Sequence, residues 1–416
     1  MKYKLNNLYI NGGKKTIFEK KPHWKWPPKS IGKKKEILNY YSNEQKDRIG
    51  YPKVVEKFEK NFAKYLNMKY ALCTNSATSA LFAAFSALEL KKNDEIIVPS
   101  LTFHATASPL SQLSATPVLC DCEIDTGNIS PQDIENKITK KTKAIVITHL
   151  CGHPCEMEKI MKIKKKYKLH LIEDCSHAHG STYKKRKVGT YGEISCFSLG
   201  SQKLLPAGEG GILVTNKKIL FEKCLLSSDF NQRLPNQISD KKLRKFNITG
   251  YGIKHRIHPI SAVIANYELK KINIYIKKRN QVLNKFSKDI KCIPGIQPPV
   301  TRNGMHRGAF FCYRPFINLK ELNNISLKLF IDILQKEGME VRRSSHPPLH
   351  NLHLFKKINL KKNLKRKFPN SEKFYNNTIT IPTFTLENKK LINQYINAFK
   401  KVCYILNKNK FQIKKK

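Results

Sequence analysis

The sequence predicts an α/β protein whose large, mostly parallel sheet is buried on both faces. Short continuous apolar runs alternate with segments whose apolar residues recur at helical spacing, from Val54 to Thr215. Helices covering both faces of a parallel sheet produce this alternation, because such strands are apolar throughout. The pattern changes after Thr215, and a second, smaller α/β unit follows a stretch at 290–310 that is rich in proline and glycine.

The chain of 416 residues is long enough for these two units and an N-terminal arm. We predict an arm at 1–30, a large domain at 31–290 and a small C-terminal domain at 291–416. Glycine and proline argue against regular structure in the arm. Its two tryptophans, Trp24 and Trp26, lie beside prolines, and we expect them to pack on a surface, that of this chain or of a partner subunit.

The individual elements follow from periodicity and from turn residues. In the large domain we predict strands at 70–73, 95–98, 117–120, 144–148, 170–173 and 212–215, and helices at 54–66, 80–90, 105–113, 131–138 and 157–167. Residues 217–240 should begin as a helix and end as a loop, and one helix should run from 260 to 286. In the small domain we predict strands at 310–316, 340–343 and 378–381, and helices at 326–336 and 391–406.

Bulk properties exclude several classes of protein. No apolar run is long enough to span a bilayer and no leader stands at Met1, so we expect a soluble cytoplasmic protein with no membrane partner. The eleven cysteines are scattered through apolar segments, which favours reduced, buried thiols over a disulfide framework.

The net charge of +47 suggests a polyanionic partner such as nucleic acid. The lysines are spread evenly, however, and no aromatic residues are interleaved with them to stack on bases. A solvated lysine surface is therefore the favoured interpretation, and nucleic acid is not the expected partner. The positive field would still attract a substrate that carries a diphosphate.

One segment has the composition of a metal site. The alternating residues His149, Cys151, His153 and Cys155 could offer zinc ligands. Structural zinc sites of this kind usually pair two such clusters, and this segment has no second cluster. We therefore predict no metal.

Chemistry is concentrated where apolar runs end. Asp174 ends one such run, and Lys203 lies in a polar turn before the sequence GEGG at 208–211. A carboxylate at the end of one buried strand and a lysine between two others are the two poles of a pyridoxal phosphate site. The carboxylate would pair with the protonated pyridine nitrogen, and the amine would form a Schiff base with the aldehyde. The turn at 74–79 either aims backbone N–H groups at a phosphate or only caps a helix.

Six fragments occur together in one order. They are TNSATSAL at 74–81, PSLTFHATA at 99–107, VLCDCEIDTGNI at 118–129, HLCGHP at 149–154, EDCSHAHG at 173–180 and SQKLLPAGEGG at 201–211. Together they resemble the DegT/DnrJ/EryC1/StrS family of sugar aminotransferases, and the resemblance runs from about residue 12 to Leu406. It implies the aspartate aminotransferase-like fold (fold type I), pyridoxal 5'-phosphate as cofactor and transamination as the reaction.

The resemblance also implies roles for single residues. Lys203 stands at the position of the family's Schiff-base lysine, which is also the catalytic proton shuttle. Asp174 matches the carboxylate on the pyridine nitrogen, and His177 stands beside the phenolic oxygen. Phe103 matches the aromatic residue that stacks on the pyridine ring. A histidine in place of Lys203 would mark the family's dehydratases, so the lysine argues against that branch.

The phosphate ligands implied by the resemblance include two departures. Ala77, Thr78 and Ser198 match the family's phosphate site, but relatives usually have glycine where Ala77 stands. Many relatives also carry a GYNYR-like run whose asparagine reaches the phosphate from the neighbouring subunit. Lys254 takes that position here, and as a point charge it could still bind phosphate. This contact would make the active site shared and the homodimer obligatory.

The expected reaction moves an amino group from glutamate or glutamine to a keto-sugar, most simply one linked to a nucleotide, in amino-sugar or surface-polysaccharide biosynthesis. Alternatives are an aminotransferase acting on a free keto-cyclitol or a related intermediate, a pyridoxal phosphate-dependent sugar dehydratase, and a nucleic-acid-binding regulatory protein. Four residues are candidates for the substrate's phosphates, unless they belong to a solvated loop: Arg342, Arg343, His346 and His350.

Overall fold

A computed structural model describes residues 4–19, 26, 30–44, 47–308, 310–360, 367–384 and 388–409. Half of the predicted tryptophan patch, Trp24, lies outside these residues.

The strands, in chain order, are β1 (Tyr70–Thr74), β2 (Glu95–Pro99), β3 (Thr116–Cys120), β4 (Thr142–Thr148), β5 (His170–Asp174), β6 (Thr182–Tyr183), β7 (Arg186–Lys187), β8 (Ile194–Ser198), β9 (Gly211–Thr215), β10 (Ile296–Gln297), β11 (Met305–His306), β12 (Phe316–Ile317), β13 (Arg342–Arg343) and β14 (Ile379–Thr380). The α-helices are α1 (Ile31–Tyr41), α2 (Lys53–Leu66), α3 (Ala77–Ser86), α4 (Pro109–Gln112), α5 (Pro131–Lys137), α6 (Met157–Tyr167), α7 (Lys218–Leu226), α8 (Leu234–Gln237), α9 (Pro259–Leu269), α10 (Ile272–Ile290), α11 (Leu327–Lys336), α12 (His353–Leu360), α13 (Pro369–Asn377) and α14 (Lys389–Lys408). Short 3₁₀ turns lie at Leu5–Asn7, Tyr9–Asn11, His104–Thr106, Leu150–Gly152, Asn231–Arg233, Arg244–Phe246, Leu319–Leu322 and Leu349–Asn351.

The main sheet has seven strands in the order β1-β9-β8-β5-β4-β2-β3. Strands β8, β5, β4, β2 and β3 pair in parallel, while β9 runs antiparallel to both of its neighbours. The prediction of a mostly parallel sheet is therefore confirmed. Because the strands share a direction, the carboxyl ends of β4, β5 and β8 lie at one edge, where ligands bind in such sheets.

Both faces of the sheet are buried, as the apolar runs predict. Ile96 and Val98 pack with α3 and α7 residues in one core, whereas Ile97, between them, packs with α5 and α6 residues in another. This alternation is the two-residue period of a strand. A third core joins β1 and β9 to α2 and α9. The helices that pack on both faces thus hold the carboxyl edge of the sheet in position.

A separate core fills the C-terminal part of the chain. It joins the second half of α10 to α11 and α14, and it includes Leu8 and Ile17 from the N-terminal segment. The segment around Leu8 is tied down further, because Glu337 accepts hydrogen bonds from the backbone N–H of Tyr9 and of Thr16. The domain boundaries at 30/31 and 290/291 stay predictions.

Three predicted elements differ in the structure. The helix expected at 105–113 is a 3₁₀ turn followed by the four-residue α4. The helix expected at 260–286 is divided into α9 and α10 at Lys270–Lys271. The strand expected at 310–316 is reduced to Phe316–Ile317, with single bridges to neighbouring backbone. Phe310, Cys312 and Tyr313 are all buried in that stretch. Its apolar residues are therefore explained by side-chain packing and not by continuous hydrogen bonding to a neighbouring strand.

The prediction for the cysteines is partly wrong. Cys151 and Cys312 form a disulfide between residues 161 apart in the chain, while the other nine cysteines are free thiols, eight of them buried. Cys151 follows β4, and Cys312 lies in the stretch between α10 and α11. Sequence gave no reason to pair these two, because only the fold brings them together. Within the described residues, no helix is both long enough and apolar enough to cross a bilayer.

Candidate active site

A cavity of about 460 Å³ opens at the carboxyl edge of the main sheet. Seven of the eight residues predicted to hold the cofactor line it: Ala77, Thr78, Phe103, Asp174, His177, Ser198 and Lys203. They come from four separate stretches that the sheet topology brings to one place. Asp174 and Lys203, the acid and the lysine on which the predicted cofactor site depends, therefore line the same cavity.

Asp174 ends β5 and is almost fully buried. Its Oδ2 accepts a 2.7 Å hydrogen bond from Thr106 Oγ1, and its Oδ1 accepts one of 3.0 Å from the backbone N–H of Ser176. Thr106 in turn contacts Thr102 and Thr148, whose hydroxyls lie 2.9 Å apart. This chain of hydroxyls fixes the orientation of a carboxylate that is buried without a direct ion pair among the described residues.

Lys203 lies in the turn between β8 and β9, and its Nζ is 4.0 Å from the centre of the Phe311 ring. Burial lowers the pKa of Lys203 to about 8, although the negative charges of Asp174 and Glu209 act to raise it. The backbone of the turn is held by the arm, because Trp26 Nε1 donates a 2.9 Å hydrogen bond to the carbonyl of Lys203. A lysine with this pKa has a far larger neutral fraction near neutral pH than an exposed lysine, and the neutral amine can act as a nucleophile.

The first turn of α3 forms one wall of the cavity. Ser76 caps the helix by accepting a hydrogen bond from the Ser79 N–H, so the N–H groups of Ala77 and Thr78 stay available to a ligand. Strand β9 passes directly beneath, and a Cβ on Gly211 would lie 2.4 Å from the backbone of Ser76. Glycine at this position is what allows the close approach. Ser198, at the end of β8, completes the wall.

Two rings, those of Phe103 and His177, line the cavity. Phe103 is 40% exposed, unlike most phenylalanines of the chain, and its exposed surface is the cavity wall. His177 is stacked on Phe311, with ring centres 4.0 Å apart. Its Nδ1 is buried without a hydrogen-bond partner. Burial, together with the positive charge of Lys203, holds the pKa of His177 well below its usual value, so the ring is neutral.

Lys254 does not line this cavity. It borders a second one of about 310 Å³, whose wall includes Asp229, Arg256 and Tyr51. The two cavities are neighbours, because His255 accepts a 2.7 Å hydrogen bond from the backbone N–H of Asn75, just before α3. Within one subunit, Lys254 therefore contributes nothing to the wall formed by Ala77 and Thr78.

The residues considered as zinc ligands are engaged in other contacts. Cys151 is in the disulfide. His149 Nδ1 accepts a hydrogen bond from the backbone N–H of Cys155, so the ring proton is on Nε2, which lies 3.1 Å from Glu173 Oε2. Glu173 also accepts hydrogen bonds from the backbone N–H groups of 189, 191 and 192. His149 and Glu173, with nearby Cys175, thus form a buried network that orders the loop before β8.

The four candidates for the substrate's phosphates separate in the structure. His346 lines the cavity, with its ring 4.9 Å from that of Phe103. Arg342 and Arg343 are exposed on β13. His350 is held between Ser100 Oγ, at 2.8 Å, and Glu372 Oε1, at 2.6 Å, and does not line the cavity.

Sequence reasoning missed Phe311 and Arg314, which both line the cavity. They lie in the apolar run at 310–316, for which the sequence predicts a plain strand. A signal was present, because an arginine inside an apolar run needs an anionic partner. The hydroxyls of Thr102 and Thr106 left no comparable signal, since threonine is common in strands and turns.

The cavity suits pyridoxal phosphate on three observations. The unpartnered Nδ1 of His177 can take up a polar contact with the cofactor. The close approach of Gly211 to α3 shapes a small cradle that presents N–H groups to a phosphate. The lowered pKa of Lys203 increases the fraction of the neutral amine that can bond to an aldehyde, and Lys203 shares the cavity with Asp174.

Comparisons with known proteins agree with this chemistry. Residues 32–400 match the DegT/DnrJ/EryC1/StrS aminotransferase family. The chain is 36% identical over 270 residues to the GDP-perosamine synthase of Escherichia coli O157:H7, which covers 64% of this chain and 71% of that protein. It is 30% identical over 354 residues to the spore coat polysaccharide biosynthesis protein SpsC of Bacillus subtilis (strain 168), covering 84% and 89%.

The solved structures include a close overall match. PseC of Helicobacter pylori, an aminotransferase involved in the biosynthesis of pseudoaminic acid, superposes with a TM-score of 0.80 at 26% identity, covering 92% of this chain and all of that one. The family assignment and the fold type inferred from the sequence fragments are thereby confirmed. The chain belongs to the DegT/DnrJ/EryC1/StrS aminotransferase family and is a pyridoxal 5'-phosphate-dependent transaminase.

Proposed function

We propose that this aminotransferase moves an amino group from glutamate or glutamine to a nucleotide-linked keto-sugar, as a step of amino-sugar or surface-polysaccharide biosynthesis. The relatives in GDP-perosamine, spore coat polysaccharide and pseudoaminic acid synthesis support this choice of acceptor. The net charge of +47 adds support, because a positive field raises the local concentration of a diphosphate-bearing substrate.

The observation that carries the proposal is the position of Asp174 and Lys203 on one cavity beside the first turn of α3. When bound there, pyridoxal phosphate supplies an electron sink for the pair of electrons released at the substrate's α-carbon. Asp174 is placed to bind the pyridine nitrogen and keep its proton. The N–H groups of Ala77 and Thr78, with Ser198, are placed to bind the phosphate.

Three more residues that line the cavity are proposed to act on the cofactor. Phe103 is 40% exposed and would stack on the pyridine ring. His177, whose Nδ1 has no hydrogen-bond partner, would hold the phenolic oxygen. Lys203 would supply the amine that holds the cofactor's aldehyde and, when that amine is free, the base that takes up a proton and returns it. Its lowered pKa suits a base that works near neutral pH.

We further propose a homodimer with shared active sites in the cytoplasm. Lys254 would reach the phosphate of the partner's site, because in its own subunit it borders a different cavity. A lysine can bind phosphate there as a point charge. Nine of the eleven cysteines are free thiols, which supports a reducing compartment, whereas the disulfide between Cys151 and Cys312 counts against one.

Absorption spectroscopy of the holoenzyme tests the proposal in two halves. Glutamate or glutamine alone should convert the cofactor to its amine form, and a GDP-, UDP- or dTDP-linked keto-sugar should then restore the aldehyde form. Lys203→Ala should do neither. Recovery with a keto-inositol but with no nucleotide-linked sugar would favour the cyclitol alternative. Tight, steeply salt-dependent DNA binding by a protein that takes up no cofactor would overturn the proposal.

A further inference from the structure

Arg314 is a cation without a counter-ion on the wall of the active-site cavity. It lies three residues after Phe311 in the stretch that follows α10, and both residues line the cavity. Its Nε is shielded from solvent and has no hydrogen-bond partner, and within the described part of the chain no carboxylate is among the groups that shift the pKa of Arg314. A guanidinium whose Nε is shielded and unpartnered is unfavourable unless a ligand completes its contacts.

The groups around Arg314 make its positive charge still less favourable in the absence of an anion. Burial, and next the positive charge of Arg342, lower the pKa of Arg314 to about 10, while Tyr375 acts in the opposite direction. Arg314 and Lys203 each act on the imidazoles of His177 and His346, and they lower the pKa of both rings. The two cations therefore border the same part of the cavity. Asp174 and Glu209, the acids on its wall, lie near Lys203.

The position of Arg314 separates two kinds of anion. The phosphate of the cofactor is assigned to α3 and Ser198, which come from other stretches of the chain than Arg314. The diphosphate of a nucleotide-linked sugar is separated from its keto carbon by the sugar ring, so it would lie away from Lys203. The α-carboxylate of an amino acid is one bond from the carbon that reacts, and so it must lie close to Lys203. Phe311, whose ring centre is 4.0 Å from Lys203 Nζ, ties the Arg314 segment to that point.

We infer that Arg314 binds the α-carboxylate of the amino-acid donor and so selects amino acids over other amines. A guanidinium offers two parallel N–H groups to a carboxylate, which fixes the direction of the α-carbon as well as its charge. The inference rests on the proposed function, because it names a residue for the donor half of that reaction. During the sugar half no carboxylate is needed, and Arg314 then has no specific anion to bind.

The test compares two donors that differ only by this group. Glutamate carries the α-carboxylate, and 4-aminobutanoate is the amine that remains when that carboxylate is removed. Single-turnover absorbance gives the second-order rate constant for the conversion of the cofactor by each donor. Arg314→Gln should lower the ratio of the two constants roughly 100-fold, since hydrogen bonds between charged groups are the strong ones. Arg314→Lys should give an intermediate ratio, because lysine keeps the positive charge but cannot offer two parallel N–H groups to the carboxylate.

Two controls separate the effect from general damage. Arg186→Gln makes the same change in charge on β7, away from the cavity, and should leave the ratio unchanged. Calorimetry with glutarate, which carries carboxylates but no amine, should report binding to the wild-type holoenzyme that is about 10-fold weaker in Arg314→Gln. The holoenzyme absorption spectrum establishes that each variant is folded and loaded. Should Arg314→Gln fail to load, Arg314→Lys gives the decisive ratio.

The outcomes distinguish this inference from the proposed function. An unchanged donor ratio in a loaded Arg314 variant would overturn the inference and leave the aminotransferase reaction intact. Equal losses in the donor and sugar halves would also overturn it, because they would assign Arg314 to the cofactor or the fold. If no amino acid converted the cofactor in the wild-type enzyme, the proposed function would fail together with the inference.

Discussion

Thr106 Oγ1 donates a 2.7 Å hydrogen bond to Asp174 Oδ2 at the floor of the active-site cavity. Both residues are almost fully buried, so water cannot substitute for the hydroxyl. Thr106 also lies 3.4 Å from Thr148 and 2.9 Å from Thr102 through their hydroxyl oxygens. The orientation of the carboxylate therefore depends on a residue 68 positions earlier in the chain.

Thr106→Val should weaken the binding of pyridoxal phosphate while preserving the fold. Valine keeps the shape of threonine and removes one hydrogen bond to a charged group, which contributes about 1.5–3 kcal/mol. We expect the dissociation constant of the cofactor, measured by absorbance after dialysis, to rise at least about 10-fold. Thr215→Val is the matched control, because its hydroxyl bonds to the carbonyl of Glu193 outside the cavity. Equal affinity in the two variants would contradict this role of Thr106.

The neutral fraction of Lys203 should change near pH 8 in the apoenzyme. Its pKa is lowered to about 8 by burial, and the neutral amine is the reactive form, so reactivity should increase as pH rises to about 8 and then level off. An ordinary exposed lysine continues to gain reactivity up to about pH 10.4. Competitive labelling with acetic anhydride and peptide mass spectrometry measures this for each lysine. A profile for Lys203 that matched the exposed lysines of the same digest would contradict the assignment.

Mixed dimers test whether Lys254 serves the partner's site. Lys203→Ala and Lys254→Ala should each be inactive as homodimers. If the site is shared, a mixed dimer holds one site with both lysines intact, and co-expression in equal amounts should restore about a quarter of wild-type activity. If each subunit uses its own Lys254, no mixed dimer has an intact site and activity stays absent. Native mass spectrometry confirms that mixed dimers have formed.

The disulfide should stabilise the oxidised protein. A link between Cys151 and Cys312, which are 161 residues apart, lowers the entropy of the unfolded chain, by up to about 5 kcal/mol in the chain-entropy description. Cys312→Ser or a reducing agent should therefore lower the midpoint of thermal unfolding, measured by calorimetry. Cys292→Ser is the control, because Cys292 is an exposed free thiol.

A thiol count checks the pairing directly. Titration of protein denatured without reductant should give nine thiols, the number that are free in the structure. A count of eleven in such a preparation would mean that the two cysteines are not bonded.

The sequence was most informative where local pattern and fold agree. Buried strands such as β4 and β5 have no polar face, so their apolar runs predict them with errors of only a residue or two at the ends. The predicted carboxyl ends of these strands also indicated where the site lies. Residues 105–113 have a helical pattern, yet the chain there forms short turns that bring Thr106 under Asp174. Tertiary contacts outweighed local propensity at that point.

Other features depend on contacts that no local pattern encodes. The pairing of Cys151 with Cys312 and the position of Arg314 on the cavity wall both depend on how the stretch after α10 folds back on the main sheet. That stretch lacks regular pairing, so neither the two-residue nor the helical period describes it. The irregular backbone of that stretch explains both why the predicted strand at 310–316 is mostly absent and why the position of Arg314 could not be predicted.

The hydrogen bond from Trp26 to the carbonyl of Lys203 matters to anyone who shortens this chain for expression. A truncated chain that began at the first long helix, Ile31–Tyr41, would keep the helices and strands of the main sheet. It would lose the Trp26 indole, which forms a hydrogen bond with the turn that carries Lys203. Fusion tags joined directly at that point would replace an anchoring ring with an unrelated peptide. Truncation designs should therefore begin upstream of residue 26.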